Sequence, residues 1–350
     1  MKVENFYKSI LICVGYYVII YPNVYYDDLA QNNETENIMS TELREKTPII
    51  TEEISENKKA KKRRRRLGDR ADGRKLRSIA PMHRLMPYLM AKRSDAQNTF
   101  ADSFNITKTD RFCREQVKAG NKDFGFLHVL LAAYVRTISQ RPGINRFISG
   151  QKVYARNEIE INMAVKRELS IEGEETMISV LFEPTDTIDD VYRKFSAAVS
   201  EAVNAEESGF DKLARVINYI PGLLLRGAVG LLFFLDYFGL LPRFITRLSP
   251  FHGSMIVTSM GSLGIKPIYH HIYDFGNLPV FLAYGKKETV HVFLEDGTVA
   301  KQRRVEFKVV TDERICDGFY FASAFKIFKR YVENPELLVE PPEEVFEDID

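Results

Sequence analysis

The pattern of apolar and polar residues along the chain predicts three long helices. Apolar residues recur at helical spacing over Asp123–Gln140, which is typical of a helix with one buried face. A second amphipathic helix is predicted over Asp186–Ala205, where Thr187 can act as N-cap. A third is predicted over Phe319–Val332, with Asp317 in the position from which it could cap that helix.

Seven shorter segments have the apolar content and the flanking turn residues of β-strands. The sequence Glu-Asp-Gly at 295–297 lies between the last two and predicts a hairpin turn. Because strands and helices alternate loosely and a hairpin is present, we expect an α/β fold, a two-layer sandwich in which helices cover a mixed β-sheet. The predicted strands are Lys152–Ala155, Glu158–Val165, Thr176–Phe182, Ser254–Ser259, Pro279–Tyr284, Thr289–Leu294 and Val299–Thr311.

The most apolar stretch of the chain is Leu213–Leu248. Pro221 and Pro242 divide it, and charged residues such as Arg226 and Asp236 interrupt it too often for a membrane span. We therefore expect helices that cover the sheet or form a subunit contact. A membrane-facing patch is the alternative.

The two ends of the chain differ in composition from its middle. Ser9–Tyr26 carries no charge, as in a signal peptide or membrane anchor, but the apolar run is short and contains Pro22. A polar, acidic linker follows, and then the basic run Lys58–Arg66. We expect a leader and acidic linker over residues 1–57, a basic linker over 58–76, one domain over 77–338 and an acidic tail over 339–350. Membrane contact through residues 9–26 is an alternative to a leader outside the fold.

Composition narrows the class of protein. The chain has 350 residues, of which 45% are hydrophobic and 28% charged, and its formal net charge is +1. This composition is ordinary for a globular protein, and a net charge near zero gives no overall electrostatic field that would attract nucleic acid. The basic run also lacks aromatic residues that could stack on bases. Cys13, Cys113 and Cys316 are scattered without ligand spacing, so we expect no disulfide framework, no metal and a reducing, cytoplasmic location.

One segment carries most of the functional signal. Residues 312–318 read DERICDG, and the helix after them ends near Asn-Pro-Glu at 334–336. This resembles the end of the catalytic domain of the E2 acyltransferases of 2-oxoacid dehydrogenases, which carry H-x-x-x-D-G there and share the chloramphenicol acetyltransferase-like fold. Three more segments resemble the family in the same order, and they are Arg77–Met82 (RSIAPM), Phe126–Asn145 and Gly253–Gly264 (GSMIVTSMGSLG).

The resemblance implies a mechanism. In the family, a histidine takes the proton of a thiol of coenzyme A or dihydrolipoamide, and a hydroxyl stabilises the tetrahedral oxyanion of an acyl thioester. Thr258 matches the hydroxyl position, because residues 258–261 align with the family's Ser-x-x-Gly pattern. The resemblance implies that Ser259 and Gly261 of this pattern contact the cofactor, coenzyme A. Asp317 matches an aspartate that holds the site through a charged partner. The family's sites lie between subunits, which implies a homotrimer.

The chain departs from the family at the base, where Glu313 replaces the histidine. An ordinary glutamate has a pKa of about 4.3 and a thiol about 8.5, so proton transfer would be uphill by about 6 kcal/mol. Burial in an apolar pocket can raise a glutamate pKa by about 3–5 and close most of that gap. Glu313 is therefore a working base if it is dry, or an inert surface carboxylate if it is hydrated.

His270 and His271 follow the Thr258 strand and are the other candidate bases. Adjacent residues of a strand face opposite sides, so at most one of the two would point into the same cleft. The alternative is that both are ordinary loop residues. Cys316 precedes Asp317, and we interpret it as a small buried apolar residue rather than a nucleophile.

Three functional hypotheses follow. The region before Arg77 is too short and polar for the lipoyl and partner-binding domains of an E2 component, which favours a free-standing acyltransferase that uses acyl-CoA. The second hypothesis is a non-catalytic relative that binds a CoA thioester or a partner protein, with Glu313 marking lost chemistry. The third is a membrane-attached assembly protein.

Overall fold

The computed structural model describes residues 65–166, 175–204, 219–294 and 296–350. The chain divides into one unit over Met1–Arg63 and a second over Arg64–Asp350, and all described residues belong to the second. The predicted leader and acidic linker of 1–57 lie outside the described residues. None of the helices in the described ranges has the length and apolar character needed to cross a bilayer.

Nine β-strands and seven α-helices form within the described ranges. The strands are β1 Gly73–Lys75, β2 Gln97–Asn105, β3 Arg146–Ser149, β4 Lys152–Arg156, β5 Ile159–Lys166, β6 Glu175–Phe182, β7 Met255–Ser259, β8 Val280–Phe293 and β9 Val299–Asp312. The helices are α1 Pro81–Leu89, α2 Thr107–Lys118, α3 Phe126–Gln140, α4 Ile188–Asn204, α5 Gly222–Tyr237, α6 Arg243–Leu248 and α7 Gly318–Glu333.

The larger sheet has six strands in the order β2-β9-β8-β7-β5-β6. The β5–β7 and β7–β8 pairs are parallel and the remaining pairs are antiparallel, so the sheet is mixed. A second, antiparallel sheet has the order β1-β4-β3. The predicted α/β fold with a helix-covered mixed sheet is confirmed.

Helix starts follow the capping residues predicted from the sequence. Thr187 precedes α4, and its hydroxyl accepts a hydrogen bond from the Asp190 backbone N–H at 3.3 Å. At α7, the Asp317 side chain accepts one from the Tyr320 N–H at 2.8 Å. Each cap satisfies a backbone donor that the first helical turn leaves unpaired.

One face of the large sheet packs on α3, α4 and α7. Along β8, Val280, Leu282 and Tyr284 point to this helical side, because side chains on one face of a strand recur every second residue. Phe104 of β2 stacks on Phe307 of β9 with ring centroids 4.1 Å apart. Burying one such large apolar side chain contributes about 1.5–3 kcal/mol, so this layer holds the main core.

The opposite face of the sheet carries a smaller apolar cluster. The intervening strand positions point to this side, and the chain segment 264–279 lies across it. Thr258 follows Ile256 by two residues in β7 and therefore faces the same side. The cluster consists of Ile256, Ile272, Leu278, Phe281 and Val310.

The strand predictions need one correction and one addition. The predicted strands at 279–284 and 289–294 are a single strand, β8, with a register irregularity between Tyr284 and Lys287. A bulge lets the strand bend while its pairing to β9 continues, so the polar residues in its middle do not end it. Strand β2 was not predicted, because its sequence QNTFADSFN lacks a regular apolar alternation.

The prediction for Leu213–Leu248 was half right. Its described part is helical, as α5 and α6, but α5 does not cover the sheet. Most of α5 is exposed, including Leu223 at 84% and Phe234 at 57%. Only its C-terminal end is held by the domain, through buried Asp236.

The described fold extends beyond the predicted limits of 77–338. Strand β1 lies in the predicted basic linker and pairs with β4. The predicted acidic tail packs on the same body, where Asp348 forms a bidentate ion pair with Arg146 at 2.5 and 2.7 Å and Asp350 pairs with Arg74 at 3.2 Å. Opposite charges at the two ends therefore bring both segments onto the domain.

Candidate active site

Glu313 lies one residue beyond the end of β9. Its backbone N–H donates to the carbonyl of Ala96 at 2.8 Å, which continues the β2–β9 pairing. The residue is half-buried, and its carboxylate forms no ion pair within the described part of the chain. Among the described residues of one chain, the carboxylate is therefore neither enclosed in an apolar pocket nor paired with a cation, so the burial that a working base needs would have to come from a second subunit.

A buried ion cluster fixes the backbone on both sides of Glu313. The carboxylate of Asp312 accepts two hydrogen bonds from the guanidinium of Arg314, at 2.8 and 2.7 Å, and lies 3.4 Å from the Nε of Arg93. Arg314 also donates to the carbonyl of Met90 at the end of α1. The Asp-Glu-Arg sequence at 312–314 is the signal that could have indicated this cluster, which sequence reasoning missed.

Arg93 connects this turn to the segment that carries the two histidines. Its guanidinium donates to the carbonyls of Tyr273 at 2.9 Å, Asp274 at 3.3 Å and Ile148 at 3.1 Å. Burial lowers the pKa of Arg93, and the nearby carboxylate of Asp312 opposes that effect. A single guanidinium therefore braces the turn, the 264–279 segment and strand β3 against one another.

Asp317 caps α7 and is exposed. No ion pair joins it to another described residue, so the charged partner implied by the family resemblance is absent within one chain. Gly318 has an ordinary backbone conformation and open space at its Cβ position, so the turn does not require glycine. Cys316 is buried, and burial raises the pKa of its thiol far above the usual range. It acts as a small core residue.

Thr258 lies near the end of β7, half-buried, and pairs with Ala283 of β8. It faces the side of the sheet away from the main helices. Its hydroxyl forms no hydrogen bond with the residues that the structure describes. A ligand bound at this face would therefore find an unused donor.

Ser259 and Gly261 shape the end of the same strand. Burial raises the pKa of the Tyr284 phenol, and a hydrogen bond with Ser259 opposes that rise. A Cβ atom on Gly261 would lie 2.7 Å from the carbonyl oxygen of Gly285, so only glycine fits against β8 there. The packing thus explains Gly261, while a role in binding a cofactor stays a prediction.

The two histidines take different positions. The ring of His270 stacks on Phe281 with centroids 4.3 Å apart, on the same face of the sheet as Thr258. Its Nε2 is buried without a hydrogen-bond partner among the described residues. Burial lowers the pKa of His270, and the neighbouring His271 adds to that effect. His271 is exposed and makes an edge contact with Tyr273.

The strand registers show how far apart these groups lie in one chain. Thr258 pairs with Ala283, which pairs with Lys308 of β9, and Glu313 is five residues further along that line. At about 3.3 Å per residue and 4.8 Å per strand, the Cα atoms of Thr258 and Glu313 are about 19 Å apart. The same spacing places Phe281, the platform of His270, about 8 Å from Thr258. Within one chain, Thr258 therefore lies on the same face of the sheet as the ring of His270, whereas Glu313 lies much further along the sheet.

A charged cleft lies elsewhere on the domain, beside the start of β7. Burial raises the pKa of Glu160 to about 7, although the nearby Arg156 opposes that rise. Burial also lowers the pKa of Arg156 to about 10. Sequence reasoning did not predict this cleft. The cleft is lined by Asp72, Arg156, Glu158, Glu160, Arg243, Thr246, Arg247 and His252.

The described residues contain no group of three or more His, Cys, Asp or Glu side chains that could hold a metal ion.

Comparison with known families supports the resemblance seen in the sequence. Residues 249–340 match the sequence model of the family "2-oxoacid dehydrogenases acyltransferase (catalytic domain)". The matched region begins before Thr258 and includes Glu313 and Asp317. The candidate oxyanion donor and the candidate base therefore both lie within it. The recognition of this family is confirmed over that region. No curated protein matches the sequence significantly.

Solved structures of similar shape include acyltransferases. One from Listeria monocytogenes, named "probable dihydrolipoamide acetyltransferase", is 17% identical with a TM-score of 0.49, covering 75% of this chain and 95% of that one. The dihydrolipoamide acetyltransferase of Azotobacter vinelandii is 15% identical with a TM-score of 0.46, covering 75% and 93%. A chloramphenicol acetyltransferase is 12% identical with a TM-score of 0.43, covering 70% and 92%.

Proposed function

We propose that the protein is an acyltransferase that takes an acyl group from a coenzyme A thioester at a site formed between the subunits of a homotrimer. The observation that carries this proposal is the distance between the candidate oxyanion donor, Thr258, and the candidate base, Glu313. Thr258 and Glu313 both lie in the region that matches the acyltransferase family, yet about 19 Å separates them in one chain. Neither side chain is engaged by another described residue, which suits groups completed by a second subunit.

In this mechanism, Glu313 of one subunit accepts the proton of the acceptor group as that group attacks the carbonyl carbon of the thioester. The carbonyl oxygen becomes an oxyanion, and the hydroxyl of Thr258 from the next subunit donates a hydrogen bond to it. The tetrahedral intermediate then collapses, the bond between carbon and sulfur breaks, and the proton returns from Glu313 to the departing thiolate. The chemistry is balanced without a metal or a redox partner.

The ion cluster around Glu313 supports its position in this scheme. Asp312 and Arg314 are almost fully buried on either side of it, and Arg93 ties the turn to the neighbouring segment. Catalytic groups must be held within a fraction of an ångström of their working geometry, which a buried bidentate pair can provide. The backbone around Glu313 is thus more tightly fixed than its position at the end of a strand would suggest.

His270 is the second candidate for the base. It lies on the face of Thr258 in the same chain, and its lowered pKa keeps the imidazole neutral at neutral pH, the form that can accept a proton. This arrangement retains the acyltransferase function but needs no second subunit. It therefore makes a different prediction for the variants below.

The test measures thiol release from a panel of acyl-CoA thioesters of increasing chain length, with purified full-length protein. Glu313→Gln keeps the shape of the side chain but cannot accept the proton, so it should abolish transfer. Thr258→Val should lower the rate by about 10²–10³ by removing an oxyanion donor. Glu313→His restores the family residue and should preserve or raise activity.

The histidine variants complete the experiment. If Glu313→Gln is active while His270→Ala is inactive, His270 is the base and the inter-subunit assignment is wrong. His271→Ala serves as the matched control, because that ring is exposed and should not affect the rate. If wild type shows only background thiol release, the protein is a non-catalytic relative.

A further inference from the structure

Helix α5 presents an apolar surface on nearly all of its sides. Every residue of α5 is exposed except Leu225, Leu232, Leu235 and Asp236. These four lie along one stripe, and the rest of the circumference is open. The exposed apolar residues of α5, α6 and their connection are Leu223, Leu224, Val229, Leu231, Phe233, Phe234, Tyr237, Phe238, Leu240, Phe244 and Leu248.

The distribution of these residues distinguishes between partners. A folded protein covers one face of a helix, so a docking helix normally carries one apolar stripe and a polar remainder. Leu231 and Phe233 lie on opposite flanks of α5, with the ring of Phe233 5.2 Å from that of Phe275, and Leu223 and Phe234 lie on its outermost side. Lipid chains are fluid and can surround a helix on three sides, which fits this arrangement.

The charges of the same region are one-sided. From Tyr219 to Phe251 the charged residues are three arginines and Asp236. Asp236 is buried and pairs with Arg70 at 3.0 Å, so it contributes no exposed negative charge. Arg226 has no acidic partner among the described residues. Glu158 pairs with Arg243 at 2.6 Å and lies 3.8 Å from Arg247, so one carboxylate offsets two arginines that stay 39% and 55% exposed. The exposed charge is complementary to anionic lipid headgroups.

The geometry favours a helix lying in the membrane surface. Its 16 residues extend over about 24 Å, which is shorter than the roughly 30 Å of a bilayer's hydrocarbon core. The domain holds its C-terminal end, where Arg70 donates to the carbonyl of Asp236 at 2.6 Å and the Tyr237 hydroxyl donates to Gln151 at 3.0 Å. The helix is therefore attached to the domain at one end and presents its outer side to a surface.

We propose that α5 and α6 form a membrane-binding element that inserts into the headgroup and upper acyl-chain region of an anionic lipid bilayer. Arginine side chains at the flank of an inserted helix can extend to the phosphates while their aliphatic parts stay among the lipids. The proposal does not depend on acyl transfer, and it concerns residues distinct from the apolar segment Ser9–Tyr26.

The chain contains no tryptophan, which allows a direct test with full-length protein. Phe234→Trp places a single fluorophore on the outer side of α5, and Phe319→Trp places one at an exposed position that is 87% accessible at the start of α7. With vesicles of phosphatidylcholine and phosphatidylglycerol, the emission of Phe234→Trp should shift to the blue and be quenched by brominated acyl chains. The Phe319→Trp control should show neither change.

A second pair of variants measures the contribution to binding by vesicle co-sedimentation. Leu223→Gln with Phe234→Gln should lower the vesicle partition coefficient by at least tenfold, since two apolar groups no longer leave water. Leu67→Gln with Phe293→Gln makes the same chemical change at residues that are 101% and 80% exposed elsewhere, and should bind like wild type. Arg226→Gln and Arg247→Gln should each lower binding to anionic vesicles by about fivefold.

Three results would overturn the proposal. Wild type that does not bind the vesicles would exclude it directly. Equal binding by wild type and the Leu223 and Phe234 double variant would assign binding to another part of the chain, such as residues 9–26. Loss of self-association by that double variant, in sedimentation experiments without vesicle binding, would show that a second copy of the chain covers α5. Thermal unfolding of each variant confirms that the exposed substitutions leave the fold intact.

Discussion

The proposed inter-subunit site predicts that two inactive variants restore each other. Glu313→Gln removes the base and leaves Thr258, whereas Thr258→Val removes the oxyanion donor and leaves Glu313. If a site takes one group from each of two neighbouring subunits, a mixed trimer contains some sites in which both groups are native. Neither variant alone can form such a site.

The size of the recovery follows from the geometry. The base and the oxyanion donor must each lie about 2.6–3.2 Å from the reacting atoms between them. Their Cα atoms are about 19 Å apart in one chain, too far for both side chains to reach one thioester carbonyl, so a site within a chain is excluded for this pair. In a random equal mixture, half of the subunits retain Glu313 and half of their neighbours retain Thr258. About one site in four is then complete, and activity should return to about a quarter of wild type.

The assay mixes the two purified variants, allows subunits to exchange, and measures thiol release from the best acyl-CoA substrate. The matched control mixes wild type with the double variant Glu313→Gln, Thr258→Val. Before exchange, that mixture has half the activity of pure wild type, and after exchange it should fall to about a quarter. A site within one chain would leave that mixture at half, so exchange itself is measured separately, by co-purification of an untagged variant with an affinity-tagged one.

The reasoning would be refuted if the subunits exchange while the control stays at half of wild type and the two single variants remain inactive together. Each group would then act within a site of its own chain, as in the alternative with His270 as the base. Full activity of unmixed Glu313→Gln would point the same way. A protein that sediments as a monomer at micromolar concentration would contradict the trimer itself.

Three further predictions concern stability. Asp312→Asn should lower the free energy of unfolding by about 3–5 kcal/mol in urea titration, because Arg314 keeps a buried charge without its carboxylate, and a loss below about 1 kcal/mol would contradict the buried pair. The folded pKa of Glu160 is raised to about 7 by burial, so its contribution to stability is complete below pH 4.5 and is lost as the pH rises through 7. Glu160→Gln should therefore stabilise the protein at pH 8 by about 3 kcal/mol and flatten this part of the pH profile, and an unchanged profile would show that the carboxyl is hydrated. Gly261→Ala should lower Tm, at a cost of about 1–3 kcal/mol for the close contact with β8, whereas Gly318→Ala, with open space at its Cβ, should be tolerated.

Local patterns predicted the elements whose periodicity is strong. The helix over Asp123–Gln140 is observed as Phe126–Gln140, and the strand and helix flanking Glu313 lie where they were expected. Strand β2 escaped prediction because its pairing with β9, rather than its own sequence, stabilises it. The two predicted strands that form β8 show the same effect. Pairing with the long strand β9 keeps the polar residues between them in strand conformation.

The candidate site was predicted in part for a similar reason. Motif order identified the turn with Glu313 and the strand with Thr258, because short motifs preserve the local backbone and the residue types that chemistry needs. The guanidinium of Arg93 was not predicted, since it is 219 residues from Asp312 in the chain (312 minus 93) and meets it only in the folded state. The stacking of His270 on Phe281 likewise depends on how the 264–279 segment crosses the sheet.

The sequence by itself determined the fold class and the helix caps, because each depends on residues close together in the chain. Only the tertiary structure decided that Thr258 and Glu313 occupy separate places in one chain, and that α5 is exposed on nearly all sides. Both findings depend on which parts of the chain pack against each other in the folded protein. An apolar run has the same pattern whether it is buried in a core, covered by a second subunit or inserted among lipids, and packing of the whole chain is what distinguishes the first case from the other two.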